Sequence, residues 1–171
     1  RTLHEAKIIS NLKKAGVPCP AVIMIDRSEA TLYMQFIEGR ELKKALQELP
    51  EKIYESIART LGEIVGKMYQ SRVAHGDLTT SNILIDESGK LYLIDFGLSM
   101  VTDDLEELAV DVHLLDRSLE SLHYSIREIF IKNFLKGYSS IVGREFTLRI
   151  IDKVKEIRSR GRYVEERRKQ A

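Results

Sequence analysis

The sequence predicts an α+β fold in which short strands come early and helices dominate the later part. Apolar residues recur at helical spacing from Thr2 to Ala15. Two pairs of short runs rich in aliphatic, β-branched and aromatic residues follow, each pair joined by a polar turn. After Gly97 the apolar residues return to a helical period and hold it through Ile157.

The first helix, Thr2 to Ala15, presents Leu3, Ala6, Ile9 and Leu12 as its buried face, and Gly16 followed by Pro18 stops it. Ala21 to Ile25 and Thr31 to Ile37, linked by Asp26-Arg27-Ser28-Glu29, read as an antiparallel hairpin. Glu38-Gly39 ends its second strand. A short helix is expected over Glu41 to Leu49, and Pro50 opens a longer one. In that longer helix Ile53, Ile57, Leu61, Ile64, Val65 and Met68 form an apolar stripe suited to a core helix. A second hairpin pairs Ile83-Leu84-Ile85 with Leu91-Tyr92-Leu93-Ile94 around a turn at Asp86-Glu87-Ser88-Gly89. Beyond Gly97 every element is expected to be helical. Leu105, Leu108, Val112, Leu115, Leu119 and Leu122 mark one helix, Ile126 to Lys136 a second with Gly137 as its stop, and Leu148, Ile151, Val154 and Ile157 a third. There is no internal repeat or low-complexity tract.

At 171 residues and 43% hydrophobic composition, one globular domain is expected. The net charge of +1, from 27 basic and 26 acidic residues, gives the chain as a whole no preference for nucleic acid or anionic membrane. The single cysteine, Cys19, can form neither an internal disulfide nor a cysteine zinc site, and reads as a buried thiol in a reducing compartment. No apolar run approaches the roughly 20 residues that span a bilayer, and Arg1-Thr2-Leu3-His4-Glu5 is no signal peptide, so a soluble cytoplasmic protein with no membrane partner is expected.

The chemistry concentrates in His75-Gly76-Asp77-Leu78-Thr79-Thr80-Ser81-Asn82 and, across the second hairpin, Asp95-Phe96-Gly97. A turn centred on Glu87 to Gly89 pairs Ile85 with Leu91 and Ile83 with Leu93. Asn82 and Asp95 then share one open end of the hairpin, where paired residues stand about 5 Å apart and an amide oxygen and a carboxylate can converge on a divalent cation. Asp77 enters the same end and can orient or deprotonate a hydroxyl or water. Phosphoryl transfer asks a protein mainly for such positioning and charge neutralisation. Taken alone, Asp77 can equally be a turn cap and Asp95 an ordinary strand-end acid; the ordered set of H-x-D-x-x-x-x-N, apolar hairpin and D-F-G favours the chemical reading. Asp111 falls within a helical apolar stripe, three residues after Leu108 and four before Leu115, so a buried carboxylate there must accept hydrogen bonds. The alternative is an acid at the stripe's edge that reaches water.

These residues resemble the catalytic loop and metal-binding triplet of the protein-kinase superfamily. The likeness is closer to a RIO-like branch, the small atypical kinase subunits of the KEOPS complex, which serves threonylcarbamoyl modification of tRNA. Arg1-Thr2 with Glu5-Ala6, Gly16-Val17-Pro18 and Ala109-Val110-Asp111 add to a resemblance that runs nearly end to end. It implies a protein-kinase-like fold, with residues 1–37 a remnant of the N-lobe (the αC-like helix and last strands), 38–157 the helical C-lobe, and 158–171 a basic tail. It also implies Asp77 as the catalytic aspartate, Asn82 and Asp95 as ligands of Mg2+ or Mn2+, and ATP as substrate. Glu5 would pair with the lysine that orients ATP, and Met34, Gln35, Phe36, Ile37 and Glu38 would form the hinge that receives adenine. His75, Gly97 and Asp111 would support the site. A solvated helix acid remains the alternative for Glu5, and a core methionine for Met34.

The sequence also departs from ordinary kinases. The glycine-rich loop and lysine strand that the resemblance calls for would precede the first helix, and the residues given begin at that helix, so a truncated form of a longer native chain is expected. Gly76 stands where many kinases carry the arginine that gathers a phosphorylated activation loop, Thr79 stands where serine/threonine kinases carry a lysine, and the residues after Gly97 leave little room for a peptide platform. ATP hydrolysis, or limited autophosphorylation on serine, in support of tRNA threonylcarbamoylation is the expected output. A small-molecule phosphotransferase of aminoglycoside or choline-kinase type and a non-catalytic nucleotide-binding scaffold are the alternatives. The one local charge excess, Arg158, Arg160, Arg162, Arg167, Arg168 and Lys169 against Glu165 and Glu166, is either a solvated end or, as the resemblance implies, a contact to the tRNA-threonylcarbamoyltransferase subunit or tRNA. The other KEOPS subunits are the further partners implied.

Overall fold

A computed structural model describes the backbone of residues 2–170 and the side chains of residues 2–161. Helix α1 (Thr2–Lys14) leads into the hairpin β1 (Val22–Asp26) and β2 (Thr31–Met34). Strand β3 (Arg40–Glu41) and the single-turn α2 (Leu42–Ala45) then precede the long α3 (Glu51–Gln70). Strands β4 (Val73–Ala74), β5 (Ile83–Ile85), β6 (Leu91–Leu93) and β7 (Met100–Val101) follow, and α4 (Leu105–Leu122), α5 (Tyr124–Val142) and α6 (Arg144–Gln170) complete the described chain. The strands form three small antiparallel sheets, β1-β2, β3-β5-β6 and β4-β7. No helix of the described residues is long and apolar enough to cross a membrane.

The α+β reading stands, and the second hairpin has the expected register, Ile83 opposite Leu93 and Ile85 opposite Leu91. Its turn is set by Asp86, whose Oδ1 accepts from Ser88 N and from Lys90 N, both at 2.9 Å. Four expectations need correction. Residues 40–41 pair with β5 and only Leu42–Ala45 is regular α-helix, so the helix expected from Glu41 to Leu49 is a single turn that gives way to irregular turns after Ala45. Residues after Gly97 are not all helical, because Met100–Val101 pair with Val73–Ala74. The first helix buries Ile8 along with Ala6, Ile9 and Leu12, while Leu3 is 44% exposed.

The fourth correction concerns Gly137, which is no helix stop. It lies inside α5 where that helix crosses α3 so closely that a Cβ would stand 1.9 Å from the carbonyl oxygen of Arg59; Gly62 on α3 makes the reciprocal approach, 2.0 Å from that of Phe134. Two glycines facing each other let the backbones touch, and the core closes around them with Leu61, Val65, Phe130 and Phe134 fully buried.

Helix α6 runs unbroken through residue 158, and its basic side chains there are held by α4. Arg158 reaches Asp116 at 2.9 Å and Glu120 at 2.6 Å, and Arg160 reaches Glu106 at 2.9 Å. Asp116 is also clasped by Arg127 of α5, at 2.6 and 2.8 Å. Arg158 and Arg160, read from sequence as part of a basic tail that is either solvated or in contact with a partner or tRNA, thus have acidic partners within the chain; the side chains of Arg162, Arg167, Arg168 and Lys169 lie outside the described residues.

Candidate active site

Asp77 sits in the loop between β4 and β5, which α3 delivers through the turn Ser71-Arg72. Asn82 lies just before β5 and Asp95 two residues beyond β6, and the bond from Ile94 N to Asn82 O, 3.0 Å, extends the ladder past the last strand pair. The hairpin therefore brings Asn82 and Asp95 to one end. Asn82 Nδ2 donates to Asp77 O at 2.9 Å and to Asp77 Oδ2 at 2.8 Å. Both partners can only accept, which assigns the amide's NH2 to them and leaves its Oδ1 as an acceptor. Asp95 is exposed and adopts a left-handed backbone (φ 60°), with the Gly97 N–H 3.4 Å from its Oδ1. A non-glycine residue in that region is uncommon and is held there by its surroundings.

His75 links the two halves. Its Nε2 lies 3.0 Å from Ile94 O and its Nδ1 3.3 Å from Asp77 N. A carbonyl accepts and an amide N–H donates, so the ring is neutral with the proton on Nε2. Burial, the largest cause, pushes its pKa below the ordinary histidine value and keeps it so. The ring packs against Phe96 at 4.9 Å between centroids.

Beneath the loop, Asp111 of α4 is fully buried. Its Oδ2 accepts from His75 N at 2.6 Å and its Oδ1 from Gly76 N at 2.8 Å, which meets the requirement that a carboxylate in that stripe be bonded. Burial pushes its carboxyl up to about 6, against the opposing pull of those two amides and the Tyr69 hydroxyl. Tyr69 was not singled out from sequence. Its hydroxyl lies 2.6 Å from Leu108 O and 3.3 Å from Asp111 Oδ2, and its place four residues after Val65 on the buried face of α3 was the only sign of it.

The remaining expected residues are more dispersed. Glu5 is half-buried in the first turn of α1, and His4 beside it lies 3.3 Å from Ser99 O, joining that helix to the segment after Gly97. Along the expected hinge, Gln35 N donates to Ala21 O at 2.8 Å, Met34 ends β2, Ile37 is buried, and Phe36 and Glu38 face solvent. Among the described residues no group of three His, Cys, Asp or Glu side chains is placed to hold a metal.

A family model for the RIO domain matches residues 2–136. The chain belongs to the RIO domain family. This RIO domain is 42% identical over 165 residues to the "KEOPS complex subunit Bud32" of Pyrococcus abyssi, a match covering 96% of the chain and 74% of that protein. It is 44% identical over 165 residues to a "Probable bifunctional tRNA threonylcarbamoyladenosine biosynthesis protein" of Methanosarcina mazei, covering 95% of the chain but 27% of the larger protein. It is 34% identical over 168 residues to the "EKC/KEOPS complex subunit bud32" of Dictyostelium discoideum, covering 95% of the chain and 66% of that protein.

Proposed function

We propose that this RIO domain is the ATP-dependent kinase or ATPase of a KEOPS assembly and acts in support of threonylcarbamoyladenosine modification of tRNA. The observation that carries this reading is the bond from Asn82 Nδ2 to Asp77 Oδ2 in a site whose hairpin also delivers Asp95. The similarity to the Bud32 proteins and to the larger biosynthesis protein supplies the biological setting.

With Asp77 Oδ2 held by Asn82, the other carboxylate oxygen is available to orient a water or serine hydroxyl and to take its proton as the oxygen attacks the γ-phosphorus of ATP. The bond to the β-phosphate breaks as that attack proceeds. Asn82 Oδ1 and the Asp95 carboxylate are hard oxygens of the kind Mg2+ or Mn2+ takes alongside phosphates and waters, and a bound ion would neutralise charge on those phosphates. Met34 to Glu38 would receive adenine, Glu5 would pair with the lysine that orients ATP, and His75, Gly97 and Asp111 would hold the loop. Residues 1–37 would then be N-lobe elements and residues 38–157 a C-lobe. Partner or tRNA contact by the 158–171 tail rests on Arg162, Arg167, Arg168 and Lys169, since Arg158 and Arg160 have ion-pair partners on α4. A cytoplasmic location fits a tRNA-modifying assembly.

The test is phosphate release from ATP with Mg2+, with and without tRNA and the threonylcarbamoyltransferase partner, for the wild type, Asp77→Ala and Asp95→Ala. A tRNA-stimulated rate lost in both variants is expected. A rate that survives Asp77→Ala overturns the assignment of that carboxylate.

A further inference from the structure

One well-formed cleft of the described residues lies away from Asp77. It is a groove of about 870 Å³ between α3, the segment after β2 and the β5–β6 turn, and none of Asp77, Asn82 and Asp95 lines it. Its floor is apolar, with Ile53 and Ile57 of α3 beside Ile85 and Leu91 of the hairpin. Ile53 begins the α3 stripe that otherwise enters the core, yet it is 39% exposed because the stripe runs out into this groove. The rim is acidic. Glu38, Asp86 and Glu87 stand on it, and Arg40, its one basic residue, is ion-paired to Glu48. Glu38 and Glu87 have no ion-pair partner among the described residues. Asp86 is held charged, its pKa lowered chiefly by the Ser88 hydroxyl.

A second cleft of about 330 Å³ shares Glu38, Asp86, Glu87 and Ser88 with the first and adds Phe36, which is 87% exposed. The two clefts adjoin along these shared residues, on either side of the contact between the hinge segment and the hairpin turn. The backbones are close at that contact, since a Cβ at Gly39 would lie 2.9 Å from Ile85 O. An apolar floor, an aromatic at one end and unpaired carboxylates along the rim complement an extended peptide that alternates cationic and aliphatic side chains. The same rim repels a phosphate backbone or a triphosphate.

We propose that these adjoining clefts form a docking groove for a basic, aliphatic-rich peptide segment of a partner protein. It is independent of the phosphotransfer reading, so either can fail without the other. Because Glu38 belongs both to the rim and to the expected adenine hinge, occupancy of the groove reaches the edge of the nucleotide site without touching Asp77.

The experiment is a selection of random peptides displayed on phage against the immobilised 171-residue protein, with the affinities of enriched peptides then measured by fluorescence anisotropy. Enrichment of Arg or Lys beside Leu, Ile or Val is expected. Binding should weaken at least about tenfold in Glu87→Lys and in Ile53→Ser, and rise in salt dependence with the number of peptide charges. Glu29→Lys, a charge reversal on the exposed β1–β2 turn, should leave affinity within about twofold. Glu87 lies on a surface turn, so its variant separates loss of binding from loss of fold, which circular dichroism checks. No enrichment, an acidic consensus, affinities indifferent to Glu87→Lys, or displacement by spermine as effective as by unlabelled peptide would overturn the proposal.

Discussion

Gly76 and Leu98 meet backbone to backbone, so that a Cβ on Gly76 would stand 2.3 Å from the Leu98 carbonyl oxygen. Gly76 also adopts φ +83°, where a side chain is strained whatever the space. The contact ties the loop that carries Asp77 to the segment after Asp95-Phe96-Gly97, and it explains why this position takes a glycine. Gly76→Ala and Gly76→Arg should each cost about 2 kcal/mol of stability or more and reduce phosphate release severely, measured by chemical denaturation and a steady-state assay. An active, stable arginine variant would mean that the Leu98 segment is free to move off the loop.

Asn82 acts on Asp77 through two bonds from one amide group. Asn82→Ala removes both and also the oxygen left for a cation. Turnover should fall by about two to three orders of magnitude while thermal stability changes little, because the site is only half-buried. A parallel fall in Asn82→Asp, which sets a second carboxylate against Asp77, would separate the donor role of the amide from the oxygen's role. Full activity in the aspartate variant would sink the donor role.

What the sequence made legible was local. The register of β5 and β6 followed from alternating aliphatics around a four-residue turn, and with it the common end for Asn82 and Asp95. Relationships between distant positions were not legible. Strands β4 and β7 pair only two residues each, Val73 with Val101 and Ala74 with Met100, too few to leave a period. Gly137 read as a stop because a close crossing by α3 leaves no local signal. Arg158 read as part of a basic tail, solvated or in contact with a partner or tRNA, because its own partners, Asp116 and Glu120, lie 42 and 38 positions away. Asp111 was readable for the opposite reason, since a charge inside an apolar stripe is conspicuous.

The Asp111 brace gives stability a pH dependence of definite sign. Its folded-state pKa of about 6 exceeds the ordinary 3.8, so between those values the folded protein binds a proton that the unfolded chain does not. Stability relative to Asp111→Asn should therefore rise as pH falls from about 6 toward 4, by up to about 3 kcal/mol, and be lost again as pH climbs through 6. Urea denaturation of both proteins across that window measures it. Activity should run the other way, falling below pH 6, because a protonated Asp111 has one fewer good acceptor for the His75 and Gly76 amides. If the two proteins show parallel stability profiles, Asp111 titrates as an ordinary acid and the buried brace is wrong.

Arg158 separates a structural role from a tail role. Its side chain is 23% exposed, and its guanidinium joins Asp116, which is 8% exposed at its side chain, to Glu120. Arg158→Ala leaves Asp116 with Arg127 alone and Glu120 with its looser partner Arg117 at 3.3 Å. The expected loss is about 2 kcal/mol, insensitive to moderate salt because the pair is largely shielded, and read from thermal unfolding at low and high ionic strength. Affinity for tRNA, measured by filter binding well below the melting temperature, should change less than about twofold. A variant that keeps its stability but loses tRNA affinity would return Arg158 to the tail and detach α6 from the α4 acids.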